Sequence, residues 1–210
     1  MKRFIVLIIA VFLLLAPESF SQDRPFGIGL IIGYHEPLNA GESYKAVYNS
    51  GGGQYGILFD YRIIEWLDLD LRLLRFTKSG FRVLIGDNGE VVETNNPEDL
   101  EILSITAGAR WIFIQDDEYA PYLGASLGSW SISTESTIGD YRQSYDKTGI
   151  GFMVMAGVQL FQNKPFSMGI DLSYSTVPDM IGSEAGSTSY YYGETDIGGL
   201  SINFAFQYRF

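Results

Sequence analysis

The last eleven residues of the chain alternate strictly between two kinds of side chain. The residues of one set are large and apolar: Leu200, Ile202, Phe204, Phe206, Tyr208 and Phe210. The residues between them are small or polar: Ser201, Asn203, Ala205, Gln207 and Arg209. A period of two places the two sets on opposite faces of a β-strand. The chain therefore ends in a strand with one apolar face and one polar face.

Seven earlier segments repeat this alternation, and several of them carry aromatic residues at their ends. The segments are 26–34, 54–62, 67–73, 103–113, 121–133, 150–160 and 166–174. Together with 200–210 they predict eight strands. Their typical length is about ten residues, which is what a tilted strand needs to cross a bilayer.

The connections between these segments alternate between long and short. The long ones are polar and rich in Gly, Asn, Asp and Ser: 35–53, 78–101, 133–148 and 177–196. The short ones are 63–66, 114–120 and 162–165. Outer-membrane barrels have short periplasmic turns and long outer loops, and only a closed sheet pairs every backbone group in lipid. The sequence therefore predicts an all-β, eight-stranded antiparallel up-and-down transmembrane β-barrel with both termini in the periplasm.

The N-terminus predicts a secretory signal peptide. Two basic residues at positions 2 and 3 precede an uncharged apolar run over 4–16, and residues 19–21 have the small-x-small pattern of a cleavage site. The apolar run is shorter than the ~20 residues of a transmembrane helix. We therefore expect cleavage after Ser21, which leaves residues 22–210 as the barrel domain.

Composition excludes several classes of function. The absence of cysteine excludes a disulfide scaffold, Cys-ligated zinc and a thiol nucleophile. A net charge of -11 argues against nucleic-acid binding, which needs a basic face. The Gly-x-Gly pairs at 27–29 and 149–151 lie inside predicted strands with no helix after them, so they do not indicate a nucleotide site. We expect no cofactor and no bound metal.

Three pieces of the sequence carry a resemblance to a known family. They are the C-terminal Tyr208-x-Phe210, the turn between Tyr61-Arg62 and the run Leu67-Asp68-Leu69-Asp70-Leu71, and the passage from Leu100-Glu101-Ile102-Leu103 through Trp111-Ile112-Phe113 to Pro121-Tyr122-Leu123-Gly124. They resemble the small outer-membrane barrel proteins of the OmpA-transmembrane-domain and OmpX-like group, also called the porin family or outer membrane protein beta-barrel domain. The resemblance covers the whole mature chain.

This resemblance implies an eight-stranded barrel in the outer membrane. It also implies an assembly signal, read by the outer-membrane assembly machinery, at Phe204, Phe206, Tyr208 and Phe210. Barrels of this group serve as anchors, adhesins, receptors and occasionally enzymes, so the family does not fix one function.

The inward-facing positions collect ionisable residues of both signs. The acidic ones are Asp60, Asp68, Asp70 and Asp171, and the basic ones are Arg62, Arg72, Arg110 and Arg209. An eight-stranded barrel has an interior just wide enough for side chains. We therefore expect these charges to pair with one another and plug the barrel. Two alternatives are a narrow gated pore, opened by partner exchange, and a catalytic pair of carboxylates; an open interior would make the chain a passive small-solute porin.

The single histidine defines a further alternative. His35 lies at the predicted outer end of the first strand with inward parity, and Glu36 and Ser43 are nearby in sequence. A lipid-modifying hydrolase of the outer membrane would need such a base beside a nucleophile. None of these residues forms a recognised nucleophile motif, and a histidine at a barrel rim is usually a hydrogen-bonded loop residue. The sequence therefore favours a non-enzymatic barrel.

The long connections hold far more acidic than basic residues. We expect a surface anchor or adhesion protein that binds through these acidic loops. Expected partners are outer-membrane lipid, with divalent cations bridging to lipopolysaccharide, and the assembly machinery; we expect a monomer. In the second long connection, Asn88-Gly89 between β-rich runs predicts a hairpin that projects beyond the membrane. The last one, with Ser187 to Tyr192, is either an adhesive surface or a packed loop.

Aromatic residues at the ends of the outward-facing sets predict two girdles. The outer girdle is Tyr34, Tyr55 and Tyr174, and the periplasmic girdle is Tyr61, Trp66, Trp111, Phe166, Tyr208 and Phe210. Arg75 also has outward parity. We expect it at the outer interface or on a bulge.

Overall fold

The structure, a computed structural model, describes residues 24–85, 91–114, 118–138, 141–162, 164–182 and 188–210. The predicted signal peptide lies outside these residues. Eight antiparallel strands form a closed barrel. They are β1 (Phe26–Glu36), β2 (Gly52–Ile64), β3 (Leu67–Ile85), β4 (Val91–Ile112), β5 (Tyr119–Ile138), β6 (Tyr141–Leu160), β7 (Phe166–Thr176) and β8 (Leu200–Arg209). No helix in the described part of the chain is long and apolar enough to cross a membrane.

The first and last strands close the barrel. Gly27 pairs with Arg209 at one end of this seam and Glu36 pairs with Leu200 at the other. The predicted all-β fold and its closure are therefore confirmed. Residues 24–26 and 210 lie at the same end as the short connections, which we call the turn end, and the other end is the loop end.

The four middle strands are much longer than the rest. β3 to β6 have 19 to 22 residues, whereas β1, β2, β7 and β8 have 10 to 13. Pairing of β2 with β3 ends at Gln54 and Phe76, but β3 and β4 remain paired as far as Ile85 and Val91. The middle strands therefore continue beyond the barrel as a projecting sheet, formed by residues 77–85, 91–101, 133–138 and 141–148.

This sheet confirms one sequence prediction and corrects another. The predicted hairpin over 78–101 is present, although its Asn88-Gly89 turn lies outside the described residues. The prediction of a loop over 133–148 was wrong, because β5 and β6 stay paired up to Ile138 and Tyr141. The segment is polar on its outer face, where a strand surrounded by water needs no apolar side chains.

A cap of short helices covers the barrel at the loop end. A turn of 3-10 helix (Leu38–Ala40) and helix α1 (Gly41–Tyr48) lie within the first predicted loop, and α2 (Thr188–Tyr192) lies within the last. The carboxylate of Glu194 accepts hydrogen bonds from the backbone N–H groups of Glu42 and Ser43 at the start of α1, at 2.7 and 3.0 Å. These donors have no partner within the helix, so this contact ties the two loops together.

The outer wall carries the predicted apolar belt, with one exception in its girdles. Phe26, Leu30, Phe152 and Phe204 are exposed, and the rings of Trp66 and Trp111 lie 5.6 Å apart at the turn end. Tyr61 was predicted in the same exposed girdle, and this was wrong: it is only 7% exposed. The ring of Phe26 covers it, with 4.9 Å between the centroids.

Candidate functional site

The eight predicted interior charges are all buried and fall into two groups. The first, which we call the end cluster, lies nearest the turn end and joins two carboxylates with three guanidinium groups. Asp68 accepts from Arg62 Nε at 2.9 Å and from Arg209 Nη2 at 2.9 Å, and Arg110 Nη2 lies 3.3 Å from its Oδ2. Asp60 pairs with Arg209 and lies 3.6 Å from Arg110 Nη2.

The second group, which we call the middle cluster, is centred on one arginine. Arg72 donates from Nε to Asp70 at 2.8 Å and from Nη1 to Asp171 at 2.9 Å. Asp171 also accepts from the Tyr122 hydroxyl at 3.1 Å and from Asn203 Nδ2 at 2.9 Å. Sequence reasoning missed Tyr122 and Asn203, although their inward parity marks them.

The register of the strands brings these residues together from distant parts of the chain. Asp60 faces Asp70 across the β2–β3 pair, and Asp68 faces Arg110 across the β3–β4 pair. Gly27 of β1 pairs with Asp60 of β2 on one side and with Arg209 of β8 on the other. A Cβ atom at Gly27 would overlap the carboxylate of Asp60, so the missing side chain is what allows the Asp60–Arg209 ion pair.

Several polar atoms of these clusters lack a hydrogen-bond partner among the described residues. They are Asp60 Oδ1, Asp70 Oδ1, Arg110 Nε, and Nε and Nη1 of Arg209. Buried groups of this kind are the ones that internal water ordinarily satisfies, and leaving them dry would be costly. The clusters therefore hold the strands together while keeping unused hydrogen-bonding capacity.

The interior at the loop end is apolar instead of charged. Its wall residues and the cap residues packed on them belong to one buried group, which also reaches Ile112 and Ala120 near the turn end. At the loop end the group includes Tyr44, Tyr48, Phe76, Leu100, Ile102, Trp130, Ile132, Met153, Val177 and Met180. Val177 and Met180 are fully buried. The cap thus closes the loop end by side-chain packing, a feature that the strand parity alone did not reveal.

His35 lies at the loop-end limit of β1. Its Nδ1 is 2.8 Å from the Ser201 hydroxyl, and its ring packs edge-on against Phe76. The two partners named from sequence proximity are elsewhere: Ser43 donates to the Ala40 carbonyl at 2.9 Å, and the Glu36 carboxylate accepts from Tyr34 and from the Gly51 N–H. Ser201 was missed, although it is the inward residue directly opposite His35.

The predicted assembly-signal residues all point outward on the last strand. Phe204, Phe206, Tyr208 and Phe210 are 45–59% exposed. The Tyr208 ring lies 5.1 Å from that of Phe166 on β7. The structure places these residues on the lipid face of the closing seam, and their reading by the assembly machinery stays a prediction.

This combination of a closed eight-stranded wall, an apolar outer belt and a filled interior defines an integral outer-membrane β-barrel. Residues 5–210 match the family model described as the outer membrane protein beta-barrel domain, and the chain belongs to this family. No curated protein is significantly similar to the chain.

Several solved structures share the fold. Neisserial surface protein A (NspA) is 16% identical, covers 88% of this chain and 97% of its own, and has a TM-score of 0.56. The outer membrane protein OprG of Pseudomonas aeruginosa is 12% identical, with coverages of 90% and 97% and a TM-score of 0.55. Ail, the attachment invasion locus protein of Yersinia pestis, solved with the heparin analogue sucrose octasulfate, is 12% identical, with coverages of 88% and 99% and a TM-score of 0.50. At these identities the likeness shows the fold alone.

Proposed function

We propose that this chain is a non-enzymatic surface protein of the outer membrane, acting in adhesion or binding through its loop end. In this proposal the termini face the periplasm and the loop end faces the outside. The observation that carries the proposal is the projecting sheet, because four paired strands extend well beyond the apolar belt. A barrel that served only as an anchor or a pore would need no such structure.

The interior supports binding at the surface over transport through the barrel. Two ion clusters fill the turn-end half, and an apolar cap fills the loop-end half. Water and solutes would have to separate buried ion pairs to pass, which costs several kcal/mol for each unpaired charge. We infer that the lumen stays closed at rest and that function lies on the outer surface.

The projecting sheet offers a partner acidic side chains and strand edges that have no neighbouring strand. Asp99, Glu101 and Glu135 lie on its outer face. In the described residues, β3 beyond Phe76 has no strand paired on its β2 side, and β6 before Phe152 has none on its β7 side. Such edges accept an added strand, and the carboxylates favour cationic partners or lipopolysaccharide bridged by divalent cations.

Trimming the sheet tests this proposal. Replacing residues 137–142 by Asn-Gly would shorten the β5–β6 hairpin without altering the pairing of Ser136 with Gln143. Cells displaying the trimmed chain should adhere to an epithelial layer far less than cells displaying the wild type. Thr137→Ala, in the same tip, serves as the control and should leave adhesion unchanged. Equal adhesion by all three chains at equal surface amounts would contradict the proposal.

The passive porin is the alternative, and planar bilayers separate it from the closed barrel. The wild-type chain should show at most small, intermittent conductance. The double variant Arg72→Ala and Arg110→Ala removes the central cation of the middle cluster and one of the three cations of the end cluster, so water should enter and conductance should rise. A large steady conductance from the wild type would favour the porin.

The hydrolase is the second alternative, and the contact between His35 and Ser201 is the observation that favours it. We expect no ester hydrolysis, because in the described residues no carboxylate hydrogen-bonds the His35 ring. Release of acyl chains from outer-membrane lipid by the wild type, abolished in Ser201→Ala, would establish the enzyme instead.

A further inference from the structure

The outer wall changes from apolar to polar along a defined row of paired residues. The row runs across four neighbouring strand pairs and consists of Tyr55, Arg75, Leu103, Ser131 and Thr148. We call it the border row. On its turn-end side the outward residues include Leu73, Ile105 and Leu127, which are all exposed and apolar. On its loop-end side, the next row contains Thr77, Glu101, Ser133 and Asp146.

Arg75 is the only cationic residue in the border row. Its Nη1 donates to the Tyr55 hydroxyl at 3.1 Å, and its Nη2 donates to Glu101 at 2.7 Å. These bonds use two of the five N–H groups of a guanidinium. The side chain is 46% exposed, so the remaining donors face the medium beside the wall at the depth where the apolar belt ends.

A polar groove begins directly beyond this arginine on the same outer wall. Its volume is about 560 Å³, and it is lined by outward-facing Gly53, Thr77, Ser79, Asp99 and Glu101, by Ser133 and Glu135 of β5, and by Gly52, Lys78 and Leu100. The Ser79 hydroxyl donates to Asp99 at 2.6 Å. Small hydroxyl side chains beside carboxylates match the many donor and acceptor hydroxyls of a saccharide, and pockets for small ligands have volumes of ~300–1,000 Å³.

We propose that this wall binds the phosphorylated saccharide headgroup of lipopolysaccharide in the outer leaflet. Arg75 binds a phosphate of the lipid A disaccharide, and the groove above it binds the core sugars that extend from this disaccharide. Position supports this ligand, because a lipid anchored along the belt places its phosphate at the border row and its sugars at the groove. The inference rests on the proposed orientation, but it uses the flank of the wall and not the tip of the projecting sheet.

The phosphate contact is tested with Arg75→Gln in nanodiscs of phosphatidylcholine that contain lipid A. Arg142→Gln is the matched control, because Arg142 is also exposed on the outer face and paired with Glu135, but lies at the tip of the sheet. Loss of one interfacial cationic contact should weaken binding of bisphosphorylated lipid A about fivefold. Arg142→Gln should bind like the wild type, and inorganic phosphate should not displace the lipid.

Dephosphorylated lipid A supplies the second comparison, since it keeps the acyl chains and removes the charge. Wild type and Arg75→Gln should bind it equally. A fivefold loss that persists without the phosphates, or an equal loss in Arg142→Gln, would overturn the phosphate assignment. Both variants change exposed side chains, whose ion pairs contribute only ~0–1 kcal/mol, so the barrel should still fold.

The groove is tested separately with Gly53→Leu. A side chain at Gly53 meets no atom within 4 Å, so the variant should fill the groove without disturbing the strand. It should weaken binding of lipid A that carries core sugars and leave binding of lipid A alone unchanged. If Gly53→Leu binds lipid A with core sugars as tightly as the wild type does, the saccharide part of the proposal is wrong. Trimming residues 137–142 removes the Arg142 partner of Glu135, which lines the groove, but it leaves Arg75 in place. It should therefore not affect binding of lipid A alone, so failure of the adhesion proposal and failure of the phosphate site give different results.

Discussion

The two halves of the barrel interior are held together mainly by different kinds of contact. The turn-end half is held by ion pairs that span the lumen, such as those of Arg72 with Asp70 and Asp171. The loop-end half is filled by packed apolar side chains, including Trp130 and Met180. The outer wall is apolar beside the turn-end half, but beside loop-end residues such as Leu100 and Ile132 it carries polar side chains, including Glu101 and Ser133.

The two kinds of contact respond differently when a side chain is removed. Ion pairs in a buried site stabilise only when both partners are present, and loss of one leaves an uncompensated charge. When a packed apolar side chain is truncated, the free energy of unfolding falls in proportion to the volume removed, and no unpaired charge remains. In the closed barrel that we propose, the turn-end half is therefore the part that opens by exchange of ion-pair partners, whereas the loop-end half is a passive seal.

The largest effect should come from Arg72→Met. It leaves the carboxylates of Asp70 and Asp171 buried without their cation, and we expect a loss of about 3–5 kcal/mol in the free energy of unfolding. Urea-induced unfolding in lipid vesicles measures this loss. Arg142→Met removes an exposed ion pair and should cost only about 0–1 kcal/mol. Similar losses in both variants would mean that the middle cluster does not hold the turn-end half.

Phe152→Arg tests the apolar belt on the outer face, which the contrast between the two halves of the interior does not involve. Phe152 lies on the outward side of β6 near mid-depth and is 41% exposed to the lipid side. A charge there should cost about 2–4 kcal/mol, whichever half it lies beside. The heat stability of the assembled barrel, followed by its mobility in unboiled gel samples, measures this. Wild-type heat stability would contradict an apolar belt at this position.

Ile132→Val tests the apolar loop-end half of the interior and should have a smaller effect. The residue is buried beneath the cap, and the loss of one methylene group should cost about 0.5–1.5 kcal/mol. Conductance in planar bilayers should stay at the wild-type level, because no charge loses a partner. An increase comparable to that of the double arginine variant would show that packing, and not ion pairing, closes the lumen.

The smallest expected effect concerns the cap and its dependence on pH. The Tyr48 hydroxyl of α1 donates to Glu98 at 3.0 Å, and burial raises the pKa of the Glu98 carboxyl above its ordinary value of 4.5. Because the pKa of Glu98 is raised in the folded state, protonation of this carboxyl stabilises the folded state. This stabilisation is full below the pKa of the unfolded state. It is lost as the pH rises through the folded pKa.

Docking of α1 should therefore tighten as the pH falls from neutral toward the ordinary pKa of Glu98. Hydrogen exchange of the α1 amides, corrected for intrinsic rates, should slow in that range. Glu98→Gln should remove the pH dependence, and Asp99→Asn, on the exposed face beside it, should keep it. A dependence that survives in Glu98→Gln would assign the titration to another group.

Parity along the strands predicted most of the fold and the membership of the interior charge set. Alternation alone placed Asp60, Asp68 and Arg110 inside, because successive residues of a strand point to opposite faces. It could not tell which carboxylate pairs with which guanidinium, since that depends on register across strands far apart in sequence. The extended β5–β6 hairpin and helix α1 were missed because polar segments outside the membrane carry no alternation to detect.

By itself the sequence determined a closed eight-stranded barrel, its apolar belt and a charged interior. These features follow from period two, from strand length and from the need to pair every backbone group in lipid. Only the tertiary structure decided the division of the interior, the cap over the loop end and the partner of His35. These depend on contacts such as Tyr48 with Glu98 and His35 with Ser201, which exist only once the barrel has closed and set the height of each residue on the wall.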